Sequence, residues 1–308
     1  MVTARLIPPL GRTVAPTSAT EAQALAHILP RLALQARQVS AQVSFGIHGR
    51  RRPGPGETFW QYRPYGFGDS TQRIDWHKSA QADRVFIREN EWESANTLWV
   101  WCNTGPRMAF RSHLAPEAKL DRARLLALAL ASLAARAHER IGALGSPRPP
   151  GYGRLALLRV GEWLGQRHDE GLPAAGAQQR RAAAVLISDF LEPLDEVRAR
   201  LSAIAAAGVS GHIVQIADPA EETLPYDGRV EFLGLGSPLK YLAKKSEALR
   251  EDYIKAYGAH REGLKQLARG LGWTFTLHRT DEAPATALLP LHMRVSGADQ
   301  RHGVRGVS

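Results

Sequence analysis

The sequence has 308 residues, of which 44% are hydrophobic and 23% are charged. These values are ordinary for globular proteins, so they exclude a disordered or collagen-like chain, and the length allows one large domain or two smaller ones. The net charge of +10 suits phosphate groups, anionic lipid or an acidic protein partner. The single cysteine, Cys102, excludes an internal disulfide and a cysteine-based zinc cluster, and it indicates a reducing compartment.

Residues 1–44 are predicted to form a leader rich in Pro, Thr and Ala, followed by one amphipathic helix. Residues 45–95 have a different composition, with frequent glycines and aromatic residues. This composition predicts loops and short strands. No apolar run reaches the ~20 residues that a membrane span needs, and the N-terminal residues lack the apolar stretch of a secretory signal. The sequence therefore predicts a cytoplasmic protein, at most peripheral to the inner membrane.

From residue 96 onward, apolar strands alternate with amphipathic helices. This alternation predicts an α/β fold with a doubly wound, mostly parallel sheet and helices on both faces over residues 96–295. Residues 296–308 are predicted to be a mobile tail. Strands are predicted at 97–102, 155–160, 183–188, 211–216, 229–233 and 273–277. Helices are predicted at 117–140, from about Pro193 to Gly208, up to Gly270, and at 284–293.

Charged and aromatic side chains are interleaved in the segment 54–80, GPGETFWQYRPYGFGDSTQRIDWHKSA. A charge among aromatic rings is costly unless it is paired, so the favoured interpretation is a structural network of Arg–Asp pairs. Two alternatives stay open: a metal-binding or acid–base site of a hydrolase, and nucleic-acid binding by stacking. The structural network would consist of Arg63, Asp69, Arg73, Asp75 and Trp76. The hydrolase site would use Asp69, Asp75 and His77.

The same segment resembles the signature of a bacterial family catalogued as domain of unknown function fifty-eight. Three later segments resemble that family in the same order, so that the resemblance spans about residues 45–293. They are AVLISDFL at 184–191, DPAEETLPYDGRVEF at 218–232 and HRTD at 278–281.

This resemblance implies a fold similar to von Willebrand factor A domains and a partner among AAA+ ATPases of the MoxR type. The protein would then be a non-enzymatic adaptor or assembly factor with a chaperone-like role, and membrane proteins of the same system would be further partners. No small-molecule substrate and no cofactor are expected. The alternative, which rests on the +10 charge, is a protein that binds nucleic acid or an anionic membrane surface.

Adhesion-type domains of this fold bind a divalent cation after the first strand through Asp-x-Ser-x-Ser, with further oxygen ligands from neighbouring loops. In this sequence Asn103, Gly105 and Arg107 stand at the three motif positions, and Asp189 matches the remaining acidic ligand. The resemblance therefore implies a degenerate site that binds no metal. These four residues are predicted to form a docking surface, where Arg107 either reaches Asp189 or stays free for a partner's carboxylate.

Overall fold

The structure, a computed structural model, shows a chain that forms two compact units. One unit is Phe45–Ala95, and the other combines Met1–Ser44 with Asn96–Ser308. The predicted tail and most of the predicted leader lie outside the described residues, although 34–41 are helical (α1). The described residues are 34–41, 59–65, 74–82, 84–90, 97–166, 168, 171–173, 182–235 and 238–295.

The smaller unit contains an antiparallel strand pair, β1 (Phe59–Pro64) and β2 (Phe86–Asn90), and a one-turn helix, α2 (Trp76–Ser79). Ile87 is 1% exposed and forms an isolated bridge with Ile74, which ties the segment before α2 to β2. Short strands joined by loops are what the glycine-rich sequence predicts.

The larger unit is built on a five-stranded sheet in the order β4-β3-β5-β6-β9, in which all neighbouring strands are parallel. A separate antiparallel hairpin joins β7 and β8. Every residue of the central strands β3 and β5 is buried, because helices cover both faces of the sheet. The strands are β3 (Thr97–Cys102), β4 (Arg140–Ala143), β5 (Ala182–Ser188), β6 (Ser210–Ala217), β7 (Val230–Leu233), β8 (Lys240–Ala243) and β9 (Thr274–Arg279).

Alternate side chains of β3 divide the core into two layers. Trp99 and Trp101 pack in one cluster with buried residues of α5 and α7. Leu98 and Val100 are also buried and point to the opposite face, which α3 covers together with α4 and α8. This two-sided arrangement confirms the predicted doubly wound α/β class. The helices are α3 (Lys119–Arg136), α4 (Gly153–Gly165), α5 (Leu194–Ala206), α6 (Pro219–Thr223), α7 (Arg250–Gly270) and α8 (Pro284–Val295).

The prediction of a strand at 155–160 is wrong, because these residues belong to α4. Ala156, Val160 and Leu164 are buried at a spacing of four, whereas Leu155 is 60% exposed, and this is the pattern of a helix with one covered face. A short segment with five apolar residues does not distinguish a strand from a buried helical segment. The edge strand next to β3 is β4, which lies in residues predicted to be a helix end and a loop.

None of the helices in the described part of the chain combines the length and the apolar character needed to cross a membrane.

Candidate functional site

The carboxyl ends of β3, β5 and β6 lie side by side at one edge of the sheet. Parallel strands in this order bring together residues that follow each strand, although they are far apart in the sequence. We call the polar residues that meet there the strand-end cluster. Its members are Asn103, Lys119, Ser188, Asp189 and Glu221, with Arg107 and Glu192 beside them.

Asn103 is a buried connector between the ends of β3 and β5. Its Nδ2 donates to Oγ of Ser188 at 3.0 Å, and its Oδ1 accepts from the backbone N–H of Gly105 at 2.8 Å. A Cβ at position 105 would lie 3.0 Å from that same oxygen, so the close turn favours glycine. Both the nitrogen and the oxygen of the Asn103 side-chain amide are therefore hydrogen-bonded within the protein.

Asp189 and Lys119 form a fully buried ion pair. Nζ of Lys119 donates to Oδ2 of Asp189 at 3.2 Å, and each side chain is only 1% exposed. Lys119 is the first residue of α3, and helix side chains tilt toward the amino terminus of their helix. The lysine therefore extends to the edge where the strands end. The other carboxylate oxygen of Asp189, Oδ1, accepts from Oγ of Ser188 at 3.3 Å.

A second carboxylate, Glu221, binds the same ammonium group. Nζ of Lys119 lies 2.5 Å from Oε1 of Glu221, while Oε2 accepts from the backbone N–H of Asp218 at 2.9 Å. Asp218 in turn accepts from the backbone N–H of Ala220 and so completes a capping box at the start of α6. Burial raises the pKa of Glu221, and Lys119 opposes that rise by stabilising the carboxylate.

Arg107 lies at the rim of the cluster on a short 3-10 turn, Pro106–Ala109, which the fully buried Met108 anchors. Its guanidinium binds Glu192 through Nη2, and its Nε lies 3.6 Å from Oδ2 of Asp189. Of the two arrangements that the sequence left open, the structure thus has Arg107 close to Asp189. The side chain is nevertheless 38% exposed, in contrast to Lys119.

The cluster does not fit a divalent cation. A hard divalent cation needs several oxygen ligands that converge on it, whereas here the ammonium group of Lys119 already lies between Asp189 and Glu221. The polar ends of Asn103 and Ser188 are hydrogen-bonded within the protein. Among the described residues, no group of three or more His, Cys, Asp or Glu side chains is placed to hold a metal.

The other predicted site residues belong to the smaller unit. Oδ1 of Asp75 accepts from the backbone N–H of Lys78 at 2.9 Å, so Asp75 caps α2, and the hydroxyl of Tyr62 donates to its Oδ2 at 3.3 Å. Trp76 is 66% exposed, and His77 is exposed beside it on α2. Asp69, Arg73 and the side chain of Arg63 lie outside the described residues, so the predicted network stays a prediction.

Sequence reasoning did not assign Lys119, Glu192 or Glu221 to the strand-end cluster. A lysine at the first position of a helix runs against the helix dipole, because cations are favourable near the carboxyl end. That local conflict is the signal that could have identified Lys119. Cys102 ends β3 in the core, where burial raises the pKa of its thiol to about 12, so it is an inert structural residue.

The fold and the strand-end cluster together define a doubly wound α/β domain with a buried ion-pair cluster at the edge where ligands of such sheets bind. The chain belongs to the family described as protein of unknown function DUF58, whose sequence profile matches residues 61–263.

Curated relatives include uncharacterized proteins of Mycobacterium tuberculosis and Mycobacterium bovis. Each is 28% identical to this chain over 280 residues, which cover 83% of this chain and 85% of the relative. An uncharacterized protein of Mycobacterium avium is 34% identical over 104 residues, which cover 34% of this chain and 60% of that protein.

Two solved structures of Bacteroides proteins match part of this chain. An aerotolerance-related membrane protein from Bacteroides fragilis is 11% identical, with a TM-score of 0.38, and the match covers 66% of this chain and 99% of that one. The conserved hypothetical protein BatB from Bacteroides thetaiotaomicron is 10% identical, with a TM-score of 0.36, and the match covers 67% and 99%.

Proposed function

We propose that this DUF58 protein is a non-enzymatic adaptor that docks a protein partner on the strand-end edge of its α/β domain. The partner that the family resemblance implies is an AAA+ ATPase of the MoxR type. The adaptor would act in the cytoplasm, peripheral to the inner membrane, and membrane proteins of the same system would be the further components that it helps to assemble.

The observation that carries this proposal is that the guanidinium of Arg107 lies beside two carboxylates and is still partly exposed. Its Nη2 and Nε face Glu192 and Asp189, but among the described residues none accepts a hydrogen bond from Nη1. The guanidinium is 38% exposed, while the neighbouring ammonium of Lys119 is 1% exposed. Arg107 is therefore the cation of the cluster that a partner's carboxylate can reach, and a guanidinium held in place binds a carboxylate with little further loss of entropy.

The test is the affinity between this chain and the MoxR-type ATPase of the same organism, measured by calorimetry. Arg107→Ala is expected to weaken binding about tenfold to a hundredfold, because a charge-assisted hydrogen bond contributes about 1.5–3 kcal/mol. The matched control is Arg136→Ala. Arg136 is exposed in the last turn of α3, at the opposite edge of the sheet.

Equal losses in the two variants, or no loss in Arg107→Ala, would refute docking through Arg107. The nucleic-acid alternative predicts a different result. Binding to duplex DNA would weaken steeply as salt rises, and one arginine would account for only a small share of the salt dependence.

A further inference from the structure

We infer that Lys119 is a built-in cation, which holds the strand-end cluster together in the place where adhesion-type domains of this fold use a metal ion. This inference deepens the proposed function, because it specifies the charge state of the docking edge. Its test uses this chain alone, so its failure can be told apart from the failure of the proposed partner.

The ammonium group of Lys119 lies between two carboxylates. Nζ of Lys119 bridges Oδ2 of Asp189, at 3.2 Å, and Oε1 of Glu221, at 2.5 Å. One carboxylate directly follows β5 and the other lies in α6, just after β6. A single positive group therefore connects the ends of two adjacent parallel strands to α3, which is the connection that a bound cation would make.

Burying this ammonium group has a cost in free energy. A lysine that is 1% exposed loses nearly all its hydration, and a charge in such a place is tolerated only when it is paired. Lys119 meets this condition twice, and its Nζ also lies 5.7 Å from the centre of the Phe110 ring, within the range of a cation–π contact. An apolar residue would suit a purely structural position at lower cost, so the charge itself is what the site uses.

The remaining polar groups of the cluster are bonded to one another. Nδ2 of Asn103 donates to Ser188, and Ser188 lies next to the carboxylate oxygen of Asp189 that Lys119 does not bind. The amide of Asn103 supplies a neutral donor where a motif carboxylate would add a negative charge. The cluster is thus complete with an ammonium ion, and its assembly is part of folding rather than of metal binding.

Two consequences follow for the chain. Magnesium, manganese and chelators should leave the stability of the native protein unchanged. The charge of its docking edge would then not depend on the metal concentration. Removal of the ammonium group should leave two neighbouring carboxylates, the buried Asp189 and the half-buried Glu221, whose oxygen atoms suit a hard cation. Lys119→Ala should therefore convert a site without a metal into one that binds Mn²⁺.

The experiment measures thermal unfolding with and without millimolar Mn²⁺, and Mn²⁺ binding by electron paramagnetic resonance. Lys119→Ala is expected to lower Tm by roughly 10 °C, because the buried carboxylate of Asp189 loses its nearest counter-ion. Mn²⁺ should restore part of that loss in Lys119→Ala, and Asp189→Asn in the same background should abolish the recovery.

A rise in the Tm of the native protein with Mn²⁺, lost in Asp189→Asn, would overturn the inference. An unchanged Tm in Lys119→Ala, or a folded Lys119→Ala that binds no Mn²⁺, would overturn it as well.

If Lys119→Ala does not fold, a double-mutant cycle with Lys119→Met and Asp189→Asn provides the second test. The neutral pair is expected to be more stable than Lys119→Met alone, because the buried charge of Asp189, which has lost its nearest counter-ion, has been removed. If Asp189→Asn has the same effect with lysine and with methionine at position 119, the two groups are not coupled and Lys119 is not the resident cation.

Discussion

Nη1 of Arg122 lies 2.8 Å from Nε2 of His278, and both side chains are buried between α3 and β9. Because arginine can only donate, Nε2 of the imidazole accepts, and the proton of the neutral ring is on Nδ1. Arg122 also donates through Nη2 to the backbone carbonyl of Thr280 at 3.0 Å, so one guanidinium fixes the end of β9. The structure therefore requires His278 to be uncharged.

This requirement predicts a loss of stability in acid. Burial, and then the charge of Arg122, lower the pKa of His278 from 6.5 to about 4. The unfolded chain protonates this histidine below about pH 6.5 while the folded chain does not, so stability falls as pH drops from about 6.5 to about 4. The contribution is at most about 3 kcal/mol.

His278→Gln should make the stability measured by urea unfolding less dependent on pH in this window, since glutamine can still accept from Arg122. His113→Gln, at an exposed histidine, is the matched control. The same pH slope in His278→Gln and in the native protein would show that His278 does not titrate in this way. His212 has its pKa lowered to about 4 by burial, so some acid sensitivity should remain.

Gly211 in β6 is predicted to be intolerant of any side chain. A Cβ at this position would lie 1.9 Å from Cδ2 of Trp273, a ring that packs in the core and donates through Nε1 to the carbonyl of Val209. Gly211→Ala should therefore cost about 3 kcal/mol or more in the free energy of unfolding.

Gly258 provides the control, because nothing lies within 4 Å of a Cβ at this exposed position of α7. Gly258→Ala should stabilise the protein by about 1 kcal/mol, since alanine favours the helix. Urea unfolding of both variants checks the pair. Equal effects of the two substitutions would mean that Trp273 moves aside.

Two substitutions of Asp75, in the smaller unit, distinguish the effect of helix capping from the effect of charge. Asparagine keeps the oxygen that accepts from the backbone N–H of Lys78, whereas alanine removes it. Asp75→Ala should therefore be less stable than Asp75→Asn by about 1 kcal/mol. The predicted Arg–Asp network requires in addition that Asp75→Asn itself lowers Tm, and an Asn variant as stable as the native protein would leave only the cap.

The sequence predicts best where one physical cause dominates. The continuous apolar runs of β3 and β5 identify central strands, because only strands covered on both faces are apolar at every position. The apolar residues at 155–160 led to the wrong prediction of a strand, because four or five apolar residues fit either a strand or a helix. Only the packing of α4 against α3 decides between the two.

At the site, Asn103, Arg107 and Asp189 could be predicted to lie near one another, because they follow adjacent parallel strands. Lys119 could not be assigned by that reasoning. It follows a loop and begins a helix, and its role depends on the length of its side chain and on two carboxylates that lie 70 and 102 residues further along the chain.

Those long separations bear on how the protein is made. Synthesis proceeds from the amino terminus, so α3 leaves the ribosome well before β5, β6 and α6. Until α6 has folded next to α3, Lys119 lacks its second counter-ion, Glu221, and the edge that carries the strand-end cluster is incomplete. A chain truncated before α6 should likewise never present that edge, so a partner that recognises it would select finished molecules over nascent or clipped ones.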